Sequence, residues 1–386
     1  MNGAGGPETS PGNGSSGDDE RPGDADTEDH TPADVTGIGL AIAALVVVGM
    51  LVPIRDGTVH LAILLGLVTA AIPLGYFLAR RHTSLERHYG RFAAASSALA
   101  AVCAGYALTQ GITGATEVWG LGGAVPAVGL ALGGAGLTGG VAIADYGRVS
   151  AVGLLGRISV TGRLSLVALA AWIAGGFATV FFFVLAAGVL GELTSLQEDA
   201  LGRIGFAVGV ASIAVGYVLL TERGLEFFDL RVPTARELLW VVGGVVVLFA
   251  VNIAISVLFT AGNVDTAEHT AVQEAAANPE LLYVVIPASI LIVGPFEELL
   301  YRNVIQKSMY DVFSPLGAII VSSVIFAGVH LPALSGTGMG EAIAGLTAIF
   351  GLSLILGTIY YRTGNLVVPA IIHGCYNAIV FASVVM

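Results

Sequence analysis

In the last third of the chain, five ionisable side chains and one asparagine interrupt otherwise apolar runs. They are Glu297, Glu298 and Arg302 in FEELLYR, His330 in FAGVH, and His373 and Asn377 in HGCYN. A carboxylate can take a proton from water, a histidine can orient that water or protonate a leaving amine, and a His/Asn pair can donate hydrogen bonds to the oxyanion of a tetrahedral intermediate. Together these are the parts of a water-activating hydrolase. A Glu and two His can equally hold a zinc ion with an open position, and Glu297, His330 and His373 are the candidates for it. The HExxH pattern that would signal such a site is absent.

Spacing on a helix sorts these residues. Glu298 and Arg302 are four apart with the acid on the N-terminal side, the favourable order for an ion pair on one face. Glu297 is turned by about 100° from Glu298 and so can face a different cavity. His373 and Asn377 are also four apart. Ser314-Pro315 reads as a helix start, which puts a hairpin turn near 313–314, with Glu297 and His330 about 16 residues, or ~24 Å, either side of it. A second turn near Thr363-Gly364 brings His373 and Asn377 toward the same depth. Each residue also has a packing role open to it: Glu298 and Arg302 as a structural pair, the histidines as hydrogen-bonded packing groups, Asn377 as interhelical glue.

These residues need elements to hold them, and composition says what kind. The chain has 386 residues, 55% hydrophobic and only 11% charged, against roughly 25% charged in an ordinary soluble domain. Residues 1–37 hold nine acids and one base, so −8 of the net charge of −12 lies in this stretch. It is rich in Gly, Pro, Ser and Asp and is expected to form a disordered acidic tail. With no signal-peptide features there, the first apolar run reads as a retained anchor. Without a cluster of Lys and Arg, nucleic acid is excluded as a partner. Arg outnumbers Lys fifteen to one, which with the acidic tail resembles the proteins of salt-loving microbes. Cys103 and Cys375 lie inside apolar runs and read as small hydrophobes.

From Ile38 onward, eleven apolar stretches of roughly the ~20 residues needed to cross a bilayer follow one another. They fall near 38–54, 58–79, 92–109, 119–144, 164–191, 204–220, 238–260, 281–301, 315–332, 342–361 and 366–386. The predicted fold class is therefore an all-α polytopic membrane protein of about eleven transmembrane helices. The even-numbered connections between these stretches hold thirteen Arg or Lys and the odd ones two, Arg55 and Arg203. By the positive-inside rule the even connections and the amino terminus are cytoplasmic, in a multi-pass protein of the cell membrane. Connection six, with Phe227, Phe228 and Leu230 among charges, reads either as an interfacial segment or as a solvated loop. Gly134-x-Gly136-x-x-Gly139 has the letters of a dinucleotide fingerprint. Inside an apolar run with no preceding strand, it reads instead as close helix packing.

The three motifs EExxxR, FxxxH and HxxxN, in this order, resemble those of the CAAX protease and bacteriocin-processing (CPBP, or Abi) family of intramembrane proteases. So does the stretch LGTIYYRTGNLVVPAIIHGCYN. The resemblance covers about 238–386, a protease-like domain preceded by a transmembrane region, 38–237, of unassigned role. It implies an intramembrane endopeptidase that cleaves membrane-associated or lipid-modified peptides near the cytoplasmic leaflet. In that reading Glu297 activates water beside His330, His373 and Asn377 form the oxyanion site, and Glu298 and Arg302 give support. The family is commonly labelled a metalloprotease, yet a metal-free glutamate mechanism fits these motifs, so no cofactor is required and zinc remains possible. The expected partners are a peptide or protein substrate at the membrane and the lipid bilayer. The competing expectations are a non-catalytic scaffold or immunity protein, and an ion-coupled transporter using Glu297 and the histidines as a relay.

Overall fold

The computed structural model describes residues 35–117, 124–267, 269–334 and 338–384. The acidic tail up to residue 34 lies outside them, and residues 35–37, assigned from sequence to the tail, form the first turn of a helix. Among the described residues nine helices are long and apolar enough to cross a membrane, and two shorter apolar helices bring the number to eleven. The chain is an all-α, multi-pass membrane protein.

Four helices form an N-terminal bundle: α1 (Val35–Arg55), α2 (Leu61–His82), α3 (Gly90–Thr109) and α4 (Ala127–Tyr146). Their contacts are made largely by small residues, with Ala43, Ala70, Ala104 and Ala131 almost fully buried. A Cβ on Gly49 would sit 2.7 Å from the Ala127 carbonyl. Without a hydrophobic drive between helices in lipid, such close backbone approach supplies the attraction. Gly134 and Gly139 belong to this packing, facing Val46 and Ser97, whereas Gly136 meets nothing. At one end of the bundle Asp145 accepts from Tyr76 Oη at 2.5 Å and Arg80 Nε at 2.9 Å.

The stretch expected to span from 119 begins later. Strand β1 (Ala115–Glu117) pairs antiparallel with β2 (Ala124–Pro126), residues 118–123 lie outside the described set, and α4 starts only after Pro126. Helix α5 (Ala151–Leu190) departs from expectation in the other direction. Ser150 caps it, accepting from Gly153 N, so Arg157 and Arg163 lie on the helix and not in a connection. Its 40 residues make a rod of ~60 Å. It packs against α6 (Ser195–Leu220), where Gly205 and Gly209 let the backbones meet at Thr179 and Ala174. Arg203 also falls within a helix and forms an ion pair with Asp199 at 2.7 Å.

The helices that carry the chemical residues follow. Helix α7 (Ala235–Ala261) opens with a Thr234/Glu237 capping box, and the short α8 (Thr270–Ala277) lies in connection seven. Helix α9 (Pro279–Met309) is continuous but not uniform, with π-helical turns at Ser289–Val293 and Leu299–Gln306 on either side of Gly294–Glu298. Pro287 and Pro295 bracket the first of these and have no N–H to return to the i−4 carbonyl, which opens the regular ladder. Helix α10 (Pro315–Val329) is capped by Ser314, α11 (Met339–Thr363) ends at Gly364 in the left-handed region, and α12 (Val367–Ser383) closes the set.

Two glycines set how closely α9 and α12 cross. A Cβ on Gly374 would lie 2.7 Å from the Ser289 carbonyl and from Ile290 Cα, and one on Gly294 would lie 2.7 Å from the Ala370 carbonyl. Backbone blocks both places, so neither can yield by a rotamer change. Gly374→Val should therefore lower thermal stability in detergent by the ~1–3 kcal/mol typical of overpacking. Gly136→Ala, with open space around it, should be neutral or slightly stabilising, because Gly costs up to about 1 kcal/mol relative to Ala in a helix. Equal melting temperatures for Gly374→Val and the parent would contradict this view of the crossing.

Candidate active site

The crossing of α9 and α12 brings Glu297 and Glu298 against His373. Glu298 is fully buried, and each of its oxygens has a side-chain partner. Oε2 accepts from Arg302 Nε at 2.8 Å, the i,i+4 pair read from sequence, and Oε1 takes His373 Nδ1 at 2.9 Å. Arg302, also fully buried, donates from Nη2 to Ser353 Oγ at 3.0 Å and lies over the Phe326 ring at 5.1 Å. Glu298 thus fixes the ring of His373 as well as neutralising Arg302.

With Nδ1 engaged, His373 turns Nε2 toward Glu297, 3.7 Å from Oε2. Glu297 faces a different space from Glu298, because successive helical residues are rotated by about 100°. That space is a cavity of about 780 Å³ lined by Glu297, His330, His373 and Asn377 together. His330 caps the C-terminal end of α10, and its Nδ1 bonds the Phe326 carbonyl at 2.7 Å, which fixes the tautomer and leaves Nε2 as an acceptor. Phe326 touches the rings of Tyr301, His330 and His373, so one aromatic side chain buttresses the site from α10. Glu298 and Arg302 stand behind the cavity wall and do not line it.

Other lining groups lie outside the sequence motifs. Asn252 and Ser256 come from α7, and the Asp199–Arg203 pair from α6. His269 comes from connection seven, residues 261–280, which holds four acids and no Lys or Arg. Its Nδ1 caps α8 by accepting from Ala271 N at 3.2 Å, and its ring centroid is 6.3 Å from that of His330. Burial, aided by the nearby His330 and Arg203, pushes the His269 pKa down to about 4. The ring is neutral at physiological pH and carries its proton on Nε2. Nothing in a loop rich in polar residues marks such a histidine in advance; only its position at the N-cap before TAVQEAAA gives a local signal.

The zinc set considered from sequence does not assemble as three donors. Among the described residues no group of three His, Cys, Asp or Glu side chains is arranged to hold a metal ion. Nδ1 of both candidate histidines is already committed, to Phe326 O and to Glu298. Cys103 and Cys375 are free and half-buried.

The Glu298–Arg302 pair makes a direct stability prediction. Removing one partner of a fully buried pair leaves an uncompensated charge, at a cost of about 3–5 kcal/mol. Arg302→Ala should lose stability on this scale. The double variant Glu298→Gln/Arg302→Met, which removes both charges and keeps most of the volume, should recover much of the loss. A double variant that melts below Arg302→Ala would show that the charges are not what holds this corner together.

Residues 279–379 match the family model described as type II CAAX prenyl endopeptidase Rce1-like. The match runs from the start of α9 to just past Asn377 and takes in all three motifs. No curated protein and no solved structure was found to match the chain. The helices before α9 therefore stand outside the likeness, and it is over residues 279–379 that the chain is similar to the Rce1-like CAAX-protease family.

Proposed function

We propose that the chain is an intramembrane endopeptidase that hydrolyses peptide bonds of membrane-associated or lipid-modified substrates, with Glu297 as the water-activating carboxylate. The observation that carries this reading is the contrast between two adjacent acids. Glu298 is buried between Arg302 and His373, while Glu297 faces the cavity with His373 Nε2 at 3.7 Å.

In the proposed reaction a water in the cavity donates a hydrogen bond to His330 Nε2 and loses a proton to Glu297 as its oxygen bonds the scissile carbonyl carbon. The charge that develops on the carbonyl oxygen is met by the Asn377 amide and by His373 Nε2–H. Glu297, Glu298, Arg302 and His373 sum to zero charge when His373 is an imidazolium. In that state Nδ1–H serves Glu298 and Nε2–H serves the oxyanion. Collapse of the intermediate breaks the C–N bond, and Glu297 returns its proton to the leaving nitrogen. Atoms and protons balance without a metal. The apolar part of the lining, including Phe206, Val210, Leu248 and Ile255, suits an extended peptide with bulky side chains or a lipid chain.

A scaffold has no need of an ionisable Glu297 facing a cavity, since burial at membrane depth costs on the order of ~3 kcal/mol. The transporter reading needs access from both sides, which the closed layer described below does not support.

The test uses the purified full-length chain in lipid vesicles, with cleavage of a library of membrane-inserted peptides read by mass spectrometry. Glu297→Gln should reduce cleavage to background while melting like the parent, because the amide keeps the shape but cannot accept the proton. Asn377→Ala should lose about 10²–10³ in turnover, the usual size of one oxyanion donor. Chelator should leave the parent's activity unchanged. Full activity in Glu297→Gln would refute the assignment, and activity lost in chelator and restored by zinc would replace the metal-free chemistry with a metal-bound water.

A further inference from the structure

The mouth of the cavity has a side. The rim lies toward the odd-numbered connections, while Glu297 and His373 reach the floor of the cavity from the middle of α9 and the first half of α12. Among the lining segments are 199–210 of α6 after connection five, 248–259 of α7 before connection seven, 289–297 of α9 after it, and 345–356 of α11 after connection nine. Connection seven itself supplies Thr266, Ala267 and His269 to the rim, and Ala267 N is pinned to the Glu341 carbonyl at 3.2 Å.

Toward the even-numbered connections the site is closed. Below Glu298 and Arg302 lies a layer of buried polar side chains that bond one another, with Asn303 Oδ1 left without a partner. Asn303 and Gln306 are fully buried. Asn303 Nδ2 donates to Tyr360 Oη at 3.0 Å and to the Phe227 carbonyl at 3.1 Å, and Gln306 Nε2 donates to the Gly357 carbonyl at 2.9 Å. Asp229 accepts from Tyr360 Oη at 2.6 Å and from Lys307 Nζ at 2.8 Å. Connection six, read from sequence as interfacial or solvated, is thus docked as a plug under α9 and α11, with the Phe227 ring beneath Arg223 and Lys307. His373 is only six residues into α12, about 9 Å from that end, yet the plug occupies the route. Leaving such a layer half-paired to open a channel would expose several buried groups at about 1–3 kcal/mol each.

Charge gives the direction. Arg203 and Arg302 are consumed by ion pairs within the helices. Setting them aside, together with Arg157 and Arg163, which lie on α5, leaves ten basic residues on the even side and one, Arg55, on the odd side. Connection seven, at the rim, carries four acids and no base. The positive-inside rule puts the plugged face in the cytoplasm. Building on the hydrolase reading above, we propose that the site is open to the extracytoplasmic face, and that its substrate is a membrane-anchored polypeptide whose scissile segment lies on that side. This reverses the cytoplasmic-leaflet expectation that the family resemblance carried.

Single cysteines test the side of access in intact cells with a membrane-impermeant maleimide. Asp265→Cys, exposed beside the rim, and Thr83→Cys, exposed in connection two, are compared with the parent, whose Cys103 and Cys375 provide the blank. Asp265→Cys should be labelled in intact cells as fully as in permeabilised ones, and Thr83→Cys only after permeabilisation. Labelling of Asp265→Cys only after permeabilisation, or of Thr83→Cys in intact cells, would overturn the proposal. The result does not depend on catalysis. If Asp265→Cys is labelled from outside while Glu297→Gln yields the same cleavage products as the parent, the hydrolase reading fails and the side of access stands.

Discussion

The site is organised around one buried carboxylate. Glu298 is held by Arg302 from its own helix and by His373 from α12, so a single side chain ties two helices and orients the imidazole that faces the cavity. A carboxylate without these partners would be intolerable at that depth, and with them it becomes a fixed reference point. Arg302 extends the tie to α11 through Ser353 and to α10 through the Phe326 face. Four helices are thereby positioned by one charge-balanced cluster, and Glu297 is left as the acid free to meet water.

That cluster requires close helices, and glycine provides the approach. Gly294 on α9 and Gly374 on α12 meet backbone where a Cβ would stand, each within four residues of the groups they bring together. The π turns of α9 act alongside, since each re-aims the side chains that follow it. Small residues do similar work in the N-terminal bundle, which joins the rest where Gly340 packs on Thr109 and where Tyr106 Oη donates to the Gly262 carbonyl. The bundle therefore touches connection seven, whose residues 266–269 form the rim of the cavity.

Much of this was legible in the sequence, for a physical reason: a polar residue in an apolar run is expensive and so conspicuous. Glu297, Glu298, Arg302, His330, His373 and Asn377 stood out on that ground alone, and hydropathy marked the eleven helices. What escaped lies where polarity costs nothing or where the partner is distant in sequence. His269 sits in a polar loop, where a histidine is unremarked. The bond from Glu298 to His373 spans 75 residues and has no periodic signature. The start of α5 at Ala151 was hidden because Arg157 and Arg163 resemble connection residues, whereas their long side chains can snorkel from a helix end to the interface. The plug was missed for the related reason that Asp229 and Lys307 read as ordinary loop charges until the fold places them under Tyr360.

The central claim, direct attack of a Glu297-activated water on a peptide carbonyl, is tested most directly by oxygen exchange. The purified chain turns over a cleaved membrane peptide many times in ¹⁸O-enriched water, and both the product and the enzyme are then mapped by mass spectrometry. Direct attack places ¹⁸O in the new carboxy terminus and leaves the Glu297 side chain unlabelled. Label accumulating in Glu297 would reveal an anhydride formed by nucleophilic attack of that carboxylate and would contradict the account.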